Sequence, residues 1–558
     1  MVEVYNDAAR DDIRAAFLAT GQPYAPKVLE SSLAGLDRWS QEWSGMRREA
    51  CEATHVHHEQ SADLLERRIA CLDRKLRSLS AMVAVLRAAD KDVVLHAVQS
   101  VDELPELAEC EDRERLTRGD APSMQKQPII AAAEEKLAQA EAARLAVQYA
   151  NAERLAGEAL AVARSEGLAR VEVQALTVLG RVAKNQGRIA VAEQSFTEAG
   201  LIAERVGADE LRLTADGELG VVLGVLSQHH AEAERTLRHA EALLDRIGAT
   251  PQERVRLRER LGMVLAQRGQ TAEARDLLTL ALGEAEALSG DGGTGLVSIL
   301  NARGTVHDQR GESAAALADF GRALAICEAQ LSPDHPDVAA ILSNMAIIQL
   351  NGGQYGQARE RFERALTIHR LVLGGDHPIT GSTHMNLGTL LQQMEDYDGA
   401  AAQYEHALAV ATKAGGSDAD LADILYNLGA VYQLRGEYER ALTPYRDALA
   451  RSERVHGPDH AEVAYPLVGL GGALVELGKY AEGRELLERA LAIRTRKDVA
   501  PVDLGELRFA LARAVAPVDR DRAHALAIEA RGDYSDAADA DSVQRINTWL
   551  KGQLKRAP

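Results

Sequence analysis

Few residue patterns in this chain carry the makings of chemistry, and each has a definite requirement. Gly290-Asp291-Gly292-Gly293-Thr294-Gly295 matches G-x-G-x-x-G. Such a loop holds a phosphate on its backbone amides when it leads from a strand into a helix. Here it follows the helical pattern Leu277 to Leu288, so it reads as a loop between helices. His55, His57, His58 and Glu59 cluster in sequence, and on a helix His55 shares a face with His58 and Glu59. They lack a His-Glu-x-x-His frame and a distant further ligand, so they read as a solvated patch or a helix break. Asp533, Asp536, Asp539 and Asp541 lack the glycine and the terminal glutamate of a calcium loop and read as a solvated loop. Cys51, Cys71, Cys110 and Cys327 are too few and too scattered for a disulfide scaffold or a zinc module. Buried thiols are their default state in a cytoplasmic chain. No Ser/His/Asp or paired-carboxylate constellation is readable. The expectation is a protein with no catalytic residue, no metal and no cofactor.

One polar pattern does recur. Asn344, Asn386 and Asn427 stand at the same place in a longer repeat. A carboxamide offers both donor and acceptor, so one per repeat can clamp an extended peptide backbone. The same amides can instead bond the neighbouring helix and hold the stack together. The sequence leaves both readings open.

The elements that would position them are set by that repeat. A small residue recurs at Gly180, Gly220, Gly262, Gly304, Ala346, Gly388, Gly429 and Gly471, in steps of 40, 42, 42, 42, 42, 41 and 42. An independent alanine recurs at Ala159, Ala199, Ala240, Ala281, Ala323, Ala365, Ala407, Ala448 and Ala490 with the same rhythm. Each period reads as two amphipathic helices. In the second, Ala400, Tyr404, Ala407 and Leu408 fall on one face of a 3.6-residue helix. Phe196, Phe320, Phe362 and Tyr445 are the equivalents of Tyr404. A pair of this kind cannot bury its apolar face alone, so the units must stack.

Composition agrees. Residues of the AVILMFWYC group make up 46% but aromatics only 4%, which favours helix and starves strands. A net charge of −20 argues against nucleic acid as the main partner, since phosphate binding needs basic surface. No run approaches the roughly 20 apolar residues of a membrane helix, so no membrane insertion is expected, and the N-terminus lacks the basic start and apolar run of a signal peptide.

Leu428-Gly429, Ala441, Tyr445 and Ala448 resemble the tetratricopeptide repeat. The linkers Pro333-Asp334-His335-Pro336, Gly375-Asp376-His377-Pro378 and Pro458-Asp459-His460-Ala461 and the long period resemble its kinesin-light-chain subtype. The likeness covers about Ile129 to Arg496 and is weaker before Pro251, where Leu237 stands at the aromatic position. It implies an all-α, right-handed helical-repeat solenoid that binds a partner protein or peptide on the concave face of the first helices. Aligned to the small-residue marker, groove positions fall at Asn301, Thr305, Asp308 and Gln309; at Ser343, Asn344, Ile347 and Asn351; at Met385, Asn386, Thr389, Gln392 and Gln393; and at Tyr426, Asn427, Ala430 and Gln433. Few Lys or Arg residues line this stretch, so a basic clamp on an acidic tail is not favoured.

The expected organisation is an N-terminal domain of long helices (1–118), a linker (119–128), about nine helix pairs (129–496), then a degenerate pair and a capping helix (497–558). In the last, Ser542 to Lys555 turns Ile546, Trp549, Leu550 and Leu554 inward. The N-terminal runs Ala15-Ala16-Phe17-Leu18-Ala19-Thr20-Gly21, Trp39 to Trp43, Met46 to Thr54, Glu59-Gln60-Ser61 and Ala70-Cys71-Leu72-Asp73 resemble a segment of large myxobacterial-type Ser/Thr protein kinases that follows the kinase domain and a membrane helix. No kinase Gly-rich loop after a strand and no His-Arg-Asp loop is present. This resemblance implies a sensory or regulatory region lying outside the membrane, where a disulfide involving Cys110 is expected. The residues read by themselves imply a cytoplasmic chain.

Overall fold

The computed structural model describes residues 1, 3–113, 116, 126–248, 250–289, 292–494 and 500–554, and among them the regular elements are all helical. The expected linker 119–128 lies largely outside the described residues, as do Gly290 and Asp291 of the glycine-rich run and the side chain of Leu554. The chain forms two compact units, Met1–Ile341 and Leu342–Pro558, divided within the helix Pro336–Asn351.

Unit 1 opens with four helices: α1 (Asp7–Ala19), α2 (Ala25–His55), α3 (Ala62–Arg87) and α4 (Lys91–Asp102). Their starts are capped by side chains: Asn6 accepts from Ala9 N–H, Ser61 from Leu64, and Asp90 from Asp92 and Val93. One apolar stripe buries Leu29, Leu36, Trp39, Trp43 and Met46 of α2, and another Leu72, Leu79, Met82, Val83 and Leu86 of α3. The histidine cluster lies where α2 ends at His55 and the backbone turns left-handed at His58, φ 55°. Among the described residues no group of His, Cys, Asp or Glu is placed to hold a metal.

The repeats follow as helix pairs, here called A and B. In unit 1 these are Gln127–Leu145 with Tyr149–Glu166, Ala169–Asn185 with Ile189–Arg205, Asp209–Val221 with His230–Ile247, Pro251–Gln267 with Thr271–Ser289, and Gly295–Gln309 with Ser313–Gln330. In unit 2 they are Pro378–Gln393 with Tyr397–Lys413, Asp418–Leu434 with Tyr438–His456, and Ala464–Glu476 with Tyr480–Arg494, preceded by Tyr355–Val372. Pro501–Val515, Arg520–Asp536 and Ala540–Leu554 close unit 2. There Ile546 and Leu550 are buried and Trp549 packs edge-on against Phe509. The acidic run is not the solvated loop expected. Asp533 lies inside a helix, paired with Arg508 at 2.6 Å, and Asp539 accepts the Ser542 N–H at 3.0 Å as a helix cap.

The helices of a pair meet where the small marker faces the large residue. Phe196, Phe320, Phe362, Tyr404 and Tyr445 are all at most 2% exposed. A Cβ placed on Gly388 would lie 2.8 Å from the Tyr404 ring, so no larger residue fits without moving it. Leu237, Leu278 and Leu487 fill this role beside Gly220, Gly262 and Gly471. The turn from A to B needs a left-handed residue, supplied by Gly311, Gly353, Gly436 and Gly478 among others, but by Val147 (φ 61°), Gln228 (φ 57°) and Glu395 (φ 61°) in three repeats.

The Asp-His-Pro linkers also have a local cause. His335 Nδ1 accepts the Asp337 N–H at 3.2 Å, His377 Nδ1 that of Ile379 and His460 Nδ1 that of Glu462, both at 3.3 Å. The ring Nδ1 thus takes the place of the side-chain oxygen of a Ser or Asp cap. In the first two linkers the proline that follows begins the helix, at no cost in hydrogen bonds.

Gly388→Val should lower unfolding free energy by about 1–3 kcal/mol through overpacking against Tyr404. Glu395→Gly should leave it unchanged or raise it by up to ~1 kcal/mol, since left-handed backbone is costly for side chains with a Cβ. Urea unfolding followed by circular dichroism reads both.

Candidate protein-binding face

Within each unit, A helices of successive repeats touch one another more extensively than B helices do. The A helices therefore line the tighter, inner side, and side chains one turn apart along them share that face. In unit 2, from Asn344 to Gln433, this face carries Asn, Gln and Thr side chains. Asn344 and Asn351 are exposed, Asn386 and Asn427 half-buried. Among the described residues, no hydrogen bond within the chain engages the side chains of Asn344, Asn386 or Asn427.

Neighbouring candidates do have internal partners. The Tyr404 hydroxyl lies 3.1 Å from Thr389 Oγ1 and donates to Gln392 Oε1 at 3.2 Å. The Tyr445 hydroxyl donates to Gln433 Oε1 at 3.1 Å. Thr389, Gln392 and Gln433 thus satisfy hydroxyls of the buried aromatics, and what they offer a ligand is what remains. Gln393 is exposed. Tyr426 sits between the rings of Tyr445 and Tyr465, 6.0 and 6.1 Å from each, and burial raises its hydroxyl to about 12. The Asn ladder therefore runs into an aromatic wall, beyond which Gly469 stands at the place of the next asparagine and leaves room for Tyr445.

The inner face of unit 1 is of another kind. Asn301 Oδ1 is buried without a hydrogen-bond partner. Thr305 is exposed, its hydroxyl donating to the Asn301 carbonyl, and Asp308 is half-buried. Before them runs a chain of charges that the sequence reading did not single out. Arg144 bonds Glu141 and Glu103, each at 3.0 Å. Arg181 joins Glu141 at 2.9 Å to Glu218 at 3.2 Å, and Glu218 also holds Lys184 at 2.7 Å and Arg260 at 2.9 Å. Burial opposes ionisation of Glu218, yet Arg260, Arg181 and Lys184 together outweigh it and hold its carboxyl well below the ordinary range. Glu141 and Arg181 lie 40 residues apart and Glu218 and Arg260 lie 42 apart, and that spacing is the signal that could have revealed them.

The N-terminal helices add to this face. Glu106, in the segment after α4, meets Arg256 at 2.6 Å, Asp102 accepts from Thr294, and Arg77 of α3 pairs with Glu134 at 2.5 Å. That segment is tied back to α3 by a disulfide, Cys71–Cys110, with Cα atoms 5.6 Å apart. The default expectation of free thiols fails for these two. Buried Leu104 and Leu107, and the bond from Trp39 Nε1 to the Pro105 carbonyl (3.1 Å), bring Cys110 onto α3. Cys51 is exposed and free, Cys327 buried and free.

A family model described as the tetratricopeptide repeat matches residues 253–329, 309–366, 337–413 and 420–496. The matches begin where the sequence markers become regular. No curated protein matches the chain. Among solved structures, the chain is similar to BtubC (BKLC) from P. vanneervenii, 24% identical over 42% of this chain and 93% of that one, TM-score 0.37. It is also similar to a putative kinesin light chain from Podospora anserina, 22% identical over 37% and 97%, TM-score 0.33. A third is a STAND signal transduction ATPase with a tetratricopeptide repeat sensor from Pyrococcus horikoshii, 13% identical over 80% and 65%, TM-score 0.49.

Glu218→Gln should destabilise the protein by about 3 kcal/mol, because three half-buried cations lose their shared, buried partner. The depressed carboxyl contributes stability above the unfolded value near ~4.3, lost as pH falls through the lower folded value. Denaturant titrations across that range should therefore show a shallower acid-side loss in the variant.

Proposed function

We propose, starting from a chain that carries tetratricopeptide repeats, that it works by holding a partner protein rather than by catalysis, and that the inner face of unit 2 takes an extended peptide segment of that partner. The observation that carries this is the state of Asn344, Asn386 and Asn427. They recur at one register and keep their donors and acceptors free of intrachain bonds among the described residues. A stacking role would have spent those groups on the neighbouring helix. An extended peptide presents alternating N–H and C=O groups that a row of carboxamides can meet. The Asn, Gln, Thr and Tyr side chains of this face favour backbone recognition over the clamping of a charged tail.

A second reading makes the chain the sensory region of a receptor-type Ser/Thr protein kinase. The N-terminal resemblance motivates it, and the Cys71–Cys110 disulfide favours it, since disulfides persist in oxidising compartments. Under this reading, the gene region upstream of the Met1 codon encodes a kinase domain and a membrane helix in frame. Sequencing that region decides it.

For the binding reading, the probe is a peptide selected on the wild-type chain from a random display library. Each lost amide contact should cost about 1 kcal/mol or somewhat more. The triple change Asn344→Ala, Asn386→Ala and Asn427→Ala should then weaken binding by a factor on the order of 100. Calorimetric titration beside a thermal melt checks it. Unchanged affinity in a folded triple variant removes the ladder as the site.

A further inference from the structure

The N-terminal helices close onto the repeats of unit 1 at two edges. At one, α3 packs along Gln127–Leu145. At the other, α2 and α4 meet the loop after Ser313–Gln330. There Ser31 Oγ donates to the Gln330 carbonyl at 2.6 Å. The Tyr24 ring stands edge-on to the His335 imidazole, centroids 5.2 Å apart, and His335 Nε2 lies 3.1 Å from the Leu95 carbonyl. Tyr24 is 1% exposed and His335 2%.

Both ring nitrogens of His335 are committed. Nδ1 accepts the Asp337 N–H, so it carries no proton. Nε2 must then bear the single ring hydrogen and donate it to Leu95. Only the neutral imidazole satisfies both partners. A second proton would sit on Nδ1 and point at the Asp337 N–H, donor against donor. His377 and His460 use the same cap but are not buried, so water can rescue them. At His335 the cap and the docking of a distant helix hang on one ring.

We propose that His335 is a pH-sensitive latch: as the neutral ring it ties α2 and α4 to the 330–335 edge of unit 1, and its protonation in mildly acidic solution frees that edge while the α3 edge stays closed. Burial, the largest influence, holds the imidazole below its usual range, and His96 of α4 adds to this. The Asp337 carboxylate, 3.7 Å from Nδ1, works the other way. Other titratable groups at this edge include Tyr24, which feels Asp92 of α4, and Cys327, which feels Asp337 and Glu328. The released ring takes its proton near the ordinary value of ~6.5, the docked ring only at lower pH. Docking is thus at full strength above the free value and weakens as pH falls below it.

Hydroxyl-radical footprinting of the full chain, read by mass spectrometry from about pH 7.5 to about pH 5, tests this. Labelling of Tyr24 should rise several-fold in the wild type. Phe17, in the N-terminal core, and Tyr404, in unit 2, should stay protected, which separates release from unfolding. In His335→Gln, whose amide still donates to Leu95, Tyr24 labelling should be flat with pH. His96→Gln should keep the wild-type rise. Should His335→Gln fail to fold, Asp337→Asn serves in its place: without that carboxylate the docked ring accepts its proton less readily, so release must come at higher pH. A wild-type Tyr24 that stays protected at low pH overturns the latch. So does an equal rise in folded His335→Gln, or a midpoint at lower pH in Asp337→Asn.

Discussion

Contact between a small residue on one helix and a large one on the next is what the remainder of this structure hangs on. Gly388 against Tyr404, Gly429 against Tyr445 and Gly180 against Phe196 are the same joint made three times. Where leucine replaces the aromatic, as at Leu237, Leu278 and Leu487, the joint survives because the side chain still fills the gap. Each joint fixes the angle and register of one pair, and the apolar faces left over force pair onto pair. The inner-face side chains are then placed by arithmetic, since A-helix positions a fixed distance from the marker all point the same way. A ladder of amides or of charges needs no further design beyond repeating a residue type at one register.

The two units use that register differently. In unit 1 that register and the position one turn on hold charges that satisfy one another: Glu141, Arg181, Glu218 and Arg260 form a continuous series, and the N-terminal helices bring Glu103 and Glu106 to Arg144 and Arg256. Opposite charges crowded in a concave, poorly hydrated place must pair, because an unpaired one is costly. Such a face is internally spent. In unit 2 the register carries neutral amides, whose desolvation costs less, so they tolerate standing without partners. The aromatic hydroxyls behind them are satisfied by Thr389, Gln392 and Gln433, while Asn344, Asn386 and Asn427 keep their amides clear of intrachain bonds among the described residues.

The N-terminal helices hold themselves together by other means. Long apolar stripes on α2 and α3 form a core, and the segment after α4 is fastened by Cys71–Cys110. That bond closes a stretch of 39 residues, which restricts the unfolded chain. The acidic segment so fastened supplies the carboxylates that meet the repeats.

The sequence by itself determined the repeat period, the two-helix unit, the small and aromatic partners at each joint, the all-helical class and the register of Asn344, Asn386 and Asn427. These are legible because they depend on residue spacing within one helix or between adjacent ones, and the 3.6-residue turn converts spacing directly into facing. The structure decided what spacing cannot express. Whether an asparagine is spent or free depends on what stands opposite, which is how Gln392 and Asn386 came to differ. The pairing of Cys71 with Cys110, the ion pairs of the N-terminal helices with Arg144 and Arg256, and the commitment of His335 to Leu95 all join residues far apart in the chain. Such contacts follow from how helices pack around one another, a property of the folded unit that no local pattern encodes.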